Sequence, residues 1–329
     1  MGQSDRVPFL KPASVLKRAP WQDSQEVRIS NWMTEWDFVE TIDAGLIGAP
    51  YSSASISASG AAGGPEAVRM AFRYNTTYSP DWGVDIQSLR VRDLGDIAGH
   101  LTDVTAAHQH IEDAISGSLT YSDMFVPIIV GGDHSITAPA VRGFARAHAG
   151  KRIGVINIDA HLDVRNFEHG PHNGTPFRQI VEGMDQVDGR NVVEFGIHGF
   201  MNAQPYHQWC IDQEITVISG REIQRRGIES CMGEALHRAG DGTDVVYVSV
   251  DIDCLAYPYT IGTSAASPEG LSAWQLLEAV FAAGLDSRVQ GLDVVEIDPT
   301  RDVRDLTARS GCSVILTFLA GLKQRPDHA

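Results

Sequence analysis

Residues 153–163 read IGVINIDAHLD, and this stretch decides the fold class. Its first six residues form a short, β-branched apolar run, which is typical of a strand covered on both faces of a parallel sheet. Two aspartates and a histidine follow at once, where such a strand ends. The stretch therefore predicts a buried central strand that delivers polar side chains to one edge of a sheet.

The same pattern recurs along the chain. Further apolar runs lie at 45–48, 125–130, 192–195, 245–250 and 289–295. Amphipathic stretches predict helices between them, around 103–116, 137–149, 222–239 and 272–284, and the last opens with Ser272 and Gln275 at capping-box spacing. Strands that alternate with helices predict an α/β fold, with a parallel sheet covered by helices on both faces.

The chain contains no short repeat and no obvious linker, so we predict a single domain over residues 41–329. Residues 1–40 form an N-terminal extension that carries three of the six tryptophans: Trp21, Trp32 and Trp36. We expect these rings to pack on the main body or on a neighbouring subunit.

Composition limits the classes of partner. The 26 basic residues against 42 acidic ones give a net charge of −16, which argues against binding a nucleic-acid backbone. A hydrophobic share of 43% suffices for a buried core, and it excludes a disordered chain. We expect small-molecule partners and bound cations.

The sequence predicts a cytoplasmic protein with reduced thiols and no membrane contact. Its four cysteines are scattered, it has no apolar run of ~20 residues, and it has no signal peptide.

Acidic and histidine side chains follow four of the predicted strands. The residues concerned are His134 after the second run, Asp159, His161 and Asp163 after the third, Asp251 and Asp253 after the fifth, and Glu296 after the sixth. Ligands of open parallel sheets bind beyond the carboxyl ends of the strands, so these side chains are expected to meet at one rim. Such a concentration of buried negative charge is costly unless a cation neutralises it.

The ligand types restrict the metal. Carboxylates and imidazoles without a cysteine suit Mn²⁺ or Ni²⁺ and argue against a structural zinc site. Two cations that share carboxylates can hold a water and lower its pKa from about 15.7 towards 7, which supplies a nucleophile at neutral pH. The residues thus predict metal-assisted hydrolysis.

Three segments resemble the signatures of the ureohydrolase family, which includes arginase and agmatinase: VGGDHSITAP (130–139), VINIDAHLD (155–163) and SVDID (249–253). The resemblance extends from about residue 44 to 324. It implies an arginase-like, three-layer αβα fold with a mostly parallel central sheet, and a binuclear manganese site with two Mn²⁺ per chain.

The resemblance also implies roles for individual residues. One metal would be bound by His134, Asp159, Asp163 and Asp251, and the other by Asp159, His161, Asp251 and Asp253, so Asp159 and Asp251 would bridge. Asp163 would orient the bridging hydroxide, and Glu296 would hold the amidinium or guanidinium group of the substrate. The family's habit of assembling implies a homo-oligomer, a trimer or a hexamer.

Within the family, segments 55–61, 163–166, 173–178 and the stretch that begins at 289 look most like the formimidoylglutamases. That likeness implies hydrolysis of formimidoylglutamate to glutamate and formamide. Arg165 is then expected either to bind a substrate carboxylate or to screen nearby aspartates. Asn173 is expected to contact the substrate, and it stands where arginases carry a proton-shuttling histidine. The leaving group must therefore be protonated by metal-bound water or by another group. His172 and His169 are candidates, or they are merely surface histidines.

The loop at 254–262 departs from the family pattern, because Ala256 and Tyr257 replace the usual Asp-Pro pair. Larger apolar side chains at the site mouth would favour a less charged substrate, or Tyr257 simply fills space. Agmatine, guanidinobutyrate, free guanidine or a biguanide, cleaved with Mn²⁺ or Ni²⁺, are therefore alternative substrates. A non-catalytic partner subunit of a hetero-oligomer is a second alternative, and a zinc deacetylase, similar in fold, is a third.

Overall fold

The structure is a computed structural model that describes residues 7–13, 19, 23–100, 102–121 and 124–326. Its main feature is a ten-stranded sheet built by the described residues, in the order β1-β6-β3-β7-β12-β11-β8-β9-β10, with β2 also paired to β6. Strands β4 and β5 form a separate hairpin. The strands are Leu10–Lys11 (β1), Thr34–Glu35 (β2), Ala44–Ala49 (β3), Tyr78–Ser79 (β4), Val84–Asp85 (β5), Val91–Ile97 (β6), Val126–Gly131 (β7), Ile153–Ile158 (β8), Val192–Ile197 (β9), Thr216–Ser219 (β10), Val245–Asp251 (β11) and Val289–Val295 (β12).

Ten α-helices lie in the described residues. They are Ile29–Trp32 (α1), Gly64–Ala71 (α2), Val104–Tyr121 (α3), Thr137–Ala147 (α4), Pro176–Gly183 (α5), Gln204–Asp212 (α6), Gly220–Arg226 (α7), Ile228–Gly240 (α8), Ala273–Leu285 (α9) and Leu306–Lys323 (α10). Pairing in the large sheet is parallel except at one edge, where β1 runs antiparallel to β6. Among these helices, none is long and apolar enough to cross a lipid bilayer.

Two apolar cores lie on opposite faces of the sheet, because successive side chains of a strand point to opposite sides. In β7, Ile128 belongs to one core and Ile129 to the other. In β11, Val248 and Tyr247 divide in the same way. This double burial explains the continuous apolar runs, and it confirms the predicted three-layer αβα architecture with a mostly parallel sheet.

The six predicted strands are all present, and the predicted capping box of α9 is confirmed by reciprocal hydrogen bonds between Ser272 and Gln275. Four further strands of the sheet, β1, β2, β6 and β10, were not predicted, and neither were α1, α2, α5, α6 and α10. The single helix predicted over 222–239 was wrong. Gly227 has a φ of +87°, which ends α7 and starts α8 as a separate helix.

The described part of the N-terminal extension packs on the sheet. Val7 and Leu10 are buried in the core beneath α3, and Trp36 joins the same core. Trp32 packs on the opposite core and donates its indole N–H to the Gln87 carbonyl. Trp21 lies outside the described residues. The division at residue 40 and a contact with a neighbouring subunit stay predictions.

Candidate metal centre

Four adjacent strands in the middle of the sheet, β7, β12, β11 and β8, end at the same rim. This order brings together side chains that are up to 162 positions apart in the sequence. His134 follows β7, Asp159 to Asp163 follow β8, Asp251 ends β11, and Glu296 follows β12. The predicted meeting of these groups at one edge is what the structure displays.

The turn after β7 needs its glycines for space. A Cβ on Gly132 would lie 1.7 Å from the Tyr51 carbonyl oxygen, so only glycine fits there. The same carbonyl accepts a 2.9 Å hydrogen bond from the Asp133 backbone N–H. Asp133 then caps the 3₁₀ turn that begins at His134, and the His134 ring is directed into the rim with no solvent exposure.

The first cluster surrounds His134. Its Nδ1 lies 3.0 Å from an oxygen of Asp163 and 3.2 Å from oxygens of Asp159 and Asp251. All these groups are buried except Asp163, which is partly open to the cavity described below. Atoms of His134, Asp159 and Asp163 lie within 4.8 Å of one another, a spacing that suits a shared ion.

The second cluster surrounds His161. Its Nδ1 lies 3.2 Å from Asp253 Oδ2 and 3.4 Å from Asp159 Oδ1. Asp159 therefore turns one oxygen to each cluster, as a bridging ligand requires. Asp251 contributes to the first cluster, and its other oxygen accepts the Asp253 backbone N–H at 2.8 Å. The second bridge expected of Asp251 stays a prediction.

The electrostatics of the rim favour added positive charge. Burial, together with the charge of Asp253, raises the pKa of Asp251 well above its usual value. Burial opposes a charged imidazole at His161, yet the carboxylates of Asp253 and Asp159 outweigh it and raise the pKa of His161 to about 12. Without another cation, the histidines would take up protons to balance the carboxylates.

A metal cation fits this donor set better than a proton does. Ser249 donates its hydroxyl to Asp293 at 2.5 Å, so its oxygen is left to accept from His134 Nε2, 3.0 Å away. His134 therefore carries its proton on Nε2, which leaves a lone pair on Nδ1. This lone pair faces three carboxylates, and Nδ1 has no hydrogen-bond partner among the described residues. A lone pair converging with carboxylate oxygens is a ligand set for a hard or borderline cation.

Beneath the rim lies a buried polar row, which we define as Asp293, Ser249, Asn157 and Glu194. These residues are direct neighbours across β12, β11, β8 and β9, and all four are fully buried. On one side, Asp293 accepts hydroxyl hydrogens from Thr137 and Tyr247, each at 2.9 Å, and it supports Ser249 and His134. On the other side, Asn157 donates to both Glu194 and Asp159.

A cavity of about 490 Å³ opens above the two clusters. Glu296 lies in its wall, with Oε1 accepting the His134 backbone N–H at 2.9 Å and the Asn173 side-chain amide at 3.0 Å. Burial, and then the charge of Asp133, raise the pKa of Glu296 to about 8. Asn173 thus contacts Glu296 from the cavity wall, where the sequence predicted a substrate contact.

Arg165 also lines this cavity, over Gly174 and 5.8 Å from the centre of the Tyr206 ring. Its guanidinium makes no ion pair with any carboxylate of the described residues. His172 accepts the Gly174 N–H and His169 is exposed, and neither is among the residues that line the cavity.

The atypical loop 254–262 contributes none of the described residues of the cavity wall. Tyr257 points outward and is 52% exposed, so it neither fills space nor narrows the mouth. Ser264 and Ala265, just after the loop, line the cavity instead. The expected effect of this loop on substrate charge is therefore not supported by the geometry.

A model of the arginase family matches residues 42–321. The chain belongs to the arginase family. It is 39% identical to a formimidoylglutamase of Halalkalibacterium halodurans, over 95% of this chain and 97% of that protein. The crystal structure of Bacillus subtilis formimidoylglutamase superposes with a TM-score of 0.89 at 35% identity, covering 98% of this chain and 99% of that one.

A Trypanosoma cruzi formiminoglutamase with two Mn²⁺ superposes with a TM-score of 0.82 at 27% identity, over 92% of this chain and all of that one. These findings confirm the family resemblance and the fold. Sequence reasoning missed the buried polar row of this arginase-family chain. The available signal was a polar residue inside each of four runs predicted to be buried on both faces.

Proposed function

We propose that this chain is a metal-dependent hydrolase that cleaves formimidoylglutamate into glutamate and formamide. One observation supports the substrate: Glu296, a buried carboxyl group, and Arg165, a cation that pairs with no carboxylate of the described residues, line the same cavity above the two ligand clusters. A molecule with a cationic amidine at one end and a carboxylate at the other complements both. The similarity to formimidoylglutamases supports the same substrate.

Two Mn²⁺ ions are the proposed cofactor. The donor set fits such ions, and the similar structure of Trypanosoma cruzi formiminoglutamase contains two Mn²⁺. The proposed ligands are His134, Asp159, His161, Asp163, Asp251 and Asp253. When bound, the ions lower the pKa of a water and so supply a nucleophile near neutral pH.

The chain's own residues orient the substrate and move the proton. Glu296 accepts hydrogen bonds from the amidinium, while Asn173 and the His134 backbone N–H keep its carboxylate in place. Arg165 binds a substrate carboxylate. Asp163 orients the attacking water and holds its proton at the carboxylate. Water adds to the amidine carbon, and the bond from that carbon to the glutamate nitrogen then breaks as the proton held at Asp163 passes to this nitrogen, which yields formamide and the free amine.

We further propose a homo-oligomer in the cytoplasm, a trimer or hexamer as the family resemblance implies. All four cysteines are free and buried, which suits a reducing compartment. Light scattering of the purified protein gives the subunit count, and a monomeric mass would contradict this proposal.

The decisive experiment combines metal analysis with turnover. The purified protein is stripped with a chelator, reloaded with Mn²⁺ or with Ni²⁺, and assayed for formamide from formimidoylglutamate. The same preparations are assayed for urea from agmatine and guanidinobutyrate, and for ammonia from free guanidine. We expect two Mn²⁺ per chain and turnover of formimidoylglutamate alone, lost on stripping and regained on reloading.

Other outcomes identify the alternatives. Turnover of a guanidine, or activity with Ni²⁺ only, would replace the proposed substrate or metal. Activity that survives complete stripping would overturn the hydrolytic mechanism. Two bound ions without turnover of any compound would favour a non-catalytic subunit of a hetero-oligomer.

A further inference from the structure

Glu194 lies one sheet row below the rim, with no role in the proposed chemistry. It pairs in register with Asn157 of the neighbouring strand, so their side chains share a face of the sheet. Glu194 Oε2 accepts a 2.7 Å hydrogen bond from Asn157 Nδ2. The same amide nitrogen donates to Asp159 Oδ2 at 3.2 Å. Asn157 thus links a buried glutamate to the carboxylate that faces both clusters.

The fold by itself gains little from Glu194. Its side chain is fully buried, and Oε1 has no hydrogen-bond partner among the described residues. Asn157 Oδ1 is likewise without a partner there. Unsatisfied polar atoms in a core cost about 1–3 kcal/mol each, so an apolar side chain would suit this position better. Because this unfavourable position is separated from the two ligand clusters by Asn157 alone, the cost indicates a functional reason for the glutamate.

We propose that Glu194 is a positioning residue of the metal centre, which acts through the Asn157 amide to hold the Asp159 carboxylate in its bridging orientation. The inference rests on the proposed metal centre and adds a residue to it. Partners that fix the orientation of metal ligands raise metal affinity by about 10- to 100-fold.

The geometry explains why the amide needs a second acceptor. Asn157 can present either Nδ2 or Oδ1 to Asp159, and only Nδ2 can donate to the carboxylate. The shorter bond to Glu194 fixes the rotation of the Asn157 side chain, so that Nδ2 stays directed at the rim. The His161 backbone N–H holds the other oxygen of Asp159, Oδ1, at 2.7 Å on the side of the second cluster. The Asn157 amide holds Oδ2, which faces the first cluster.

The test measures Mn²⁺ affinity by equilibrium dialysis against a competing chelator, with metal per chain counted by mass spectrometry. Glu194→Met keeps the length of the side chain and removes its oxygens. We expect it to raise the apparent Kd for Mn²⁺ at least 10-fold while the metal-free protein melts at or above the wild-type temperature. Glu194→Gln keeps an oxygen for the Asn157 amide and is expected to remain within about threefold of the wild type.

Glu182→Met is the matched control, because Glu182 is half-exposed on α5 and pairs only with Arg178 among the described residues. It should leave Mn²⁺ binding unchanged. An unaltered Kd in a folded Glu194→Met protein would overturn the inference. So would a Gln variant as weak as the Met variant, since an acceptor would then not be what matters.

A double-mutant cycle tests the path through Asn157. In an Asn157→Leu background, Glu194→Met is expected to weaken Mn²⁺ binding no further, because the link to Asp159 is already absent. Additive losses would overturn the inference. If Glu194→Met does not fold, Asn157→Asp tests the inference instead. This substitution replaces the amide donor by an oxygen acceptor of the same shape, so the inference requires it to raise the Kd for Mn²⁺. The wild type separates the proposals: if it binds no Mn²⁺, the proposed function itself fails.

Discussion

Asp163 and Glu296 both adopt left-handed backbone conformations, with φ of +46° and +63°. For residues with a Cβ this costs on the order of 1 kcal/mol or more, and it persists only where the surroundings impose it. At Glu296 the backbone N–H donates to the Gly132 carbonyl at 2.9 Å, and the side chain accepts from His134 and Asn173. Both residues with this strained backbone present their carboxylates to the wall of the same cavity.

Substrate recognition at the residue scale depends on Arg165. We expect Arg165→Gln to raise KM for formimidoylglutamate by about 10- to 100-fold, because a hydrogen bond to a charged group is worth about 1.5–3 kcal/mol. The Mn²⁺ content should not change. Steady-state kinetics with metal analysis check this. Arg178→Gln serves as the control, since that guanidinium lies over Trp209 and pairs with Glu182. An unchanged KM in the Arg165 variant would contradict the assignment.

His108 is expected to make the fold sensitive to acid. Burial, aided by the charge of Arg142, lowers the pKa of His108 to about 4, against 6.5 for an accessible histidine. The unfolded chain binds this proton more readily, so the contribution of His108 is complete above pH 6.5 and is lost as the pH falls towards 4. The loss amounts to about 3 kcal/mol at most. Urea denaturation of the wild type and of His108→Gln at several pH values between 7 and 4 measures the free energy of unfolding. We expect this free energy to fall less steeply with decreasing pH in the variant than in the wild type. Parallel declines would contradict this.

At the scale of elements, the sheet places each ligand by where a strand stops. The register across β12, β11, β8 and β9 aligns the buried polar row, and the rim lies directly above it. Because parallel strands share a direction, groups far apart in sequence reach the same height in the sheet. The helices contribute mainly the apolar faces that bury both sides.

The cap of α9 offers a quantitative check on one element. Ser272 accepts from the Gln275 backbone N–H at 3.2 Å, and the Gln275 side chain accepts the Ser272 N–H at 2.9 Å. We expect Ser272→Ala to lower the free energy of unfolding by about 1 kcal/mol. Urea denaturation measures the change. Ser287→Ala, at an exposed position beyond the helix, is the control and should be neutral. Equal effects of the two substitutions would argue against the cap.

At the scale of the whole molecule, metal binding is expected to stabilise the fold. The rim concentrates four aspartates in a chain whose net charge is already −16, and bound cations relieve that repulsion. Mn²⁺ at about 100 times its Kd stabilises by about 2.7 kcal/mol, or roughly 4 °C in Tm for a protein of this size.

Scanning calorimetry of chelator-treated and Mn²⁺-loaded protein checks this expectation. Asp253→Asn removes a proposed ligand and should show a smaller Mn²⁺-dependent shift than the wild type. A wild-type Tm that does not respond to Mn²⁺ would contradict a metal site among these residues.

The sequence by itself determined the central strands, the fold class and the groups at the rim, because a strand buried on both faces needs an unbroken apolar run and its end is marked by the first polar residues. VINIDAHLD carries both signals within nine residues. Strand β6 and the edge strand β10 escaped prediction. β6 carries Asp93 and Asp96, whose charges are buried through ion pairs with Arg69, and β10 has only four residues.

Only the tertiary structure decided which strands are neighbours. Pairing of β8 with β9, and of β11 with β12, depends on packing over the whole sheet, and no local pattern specifies it. That order placed Glu194 beside Asn157 and Asp293 beside Ser249, and it brought Glu296 to the His134 backbone. The supports of the metal centre are therefore long-range contacts, whereas its ligands follow from the local sequence.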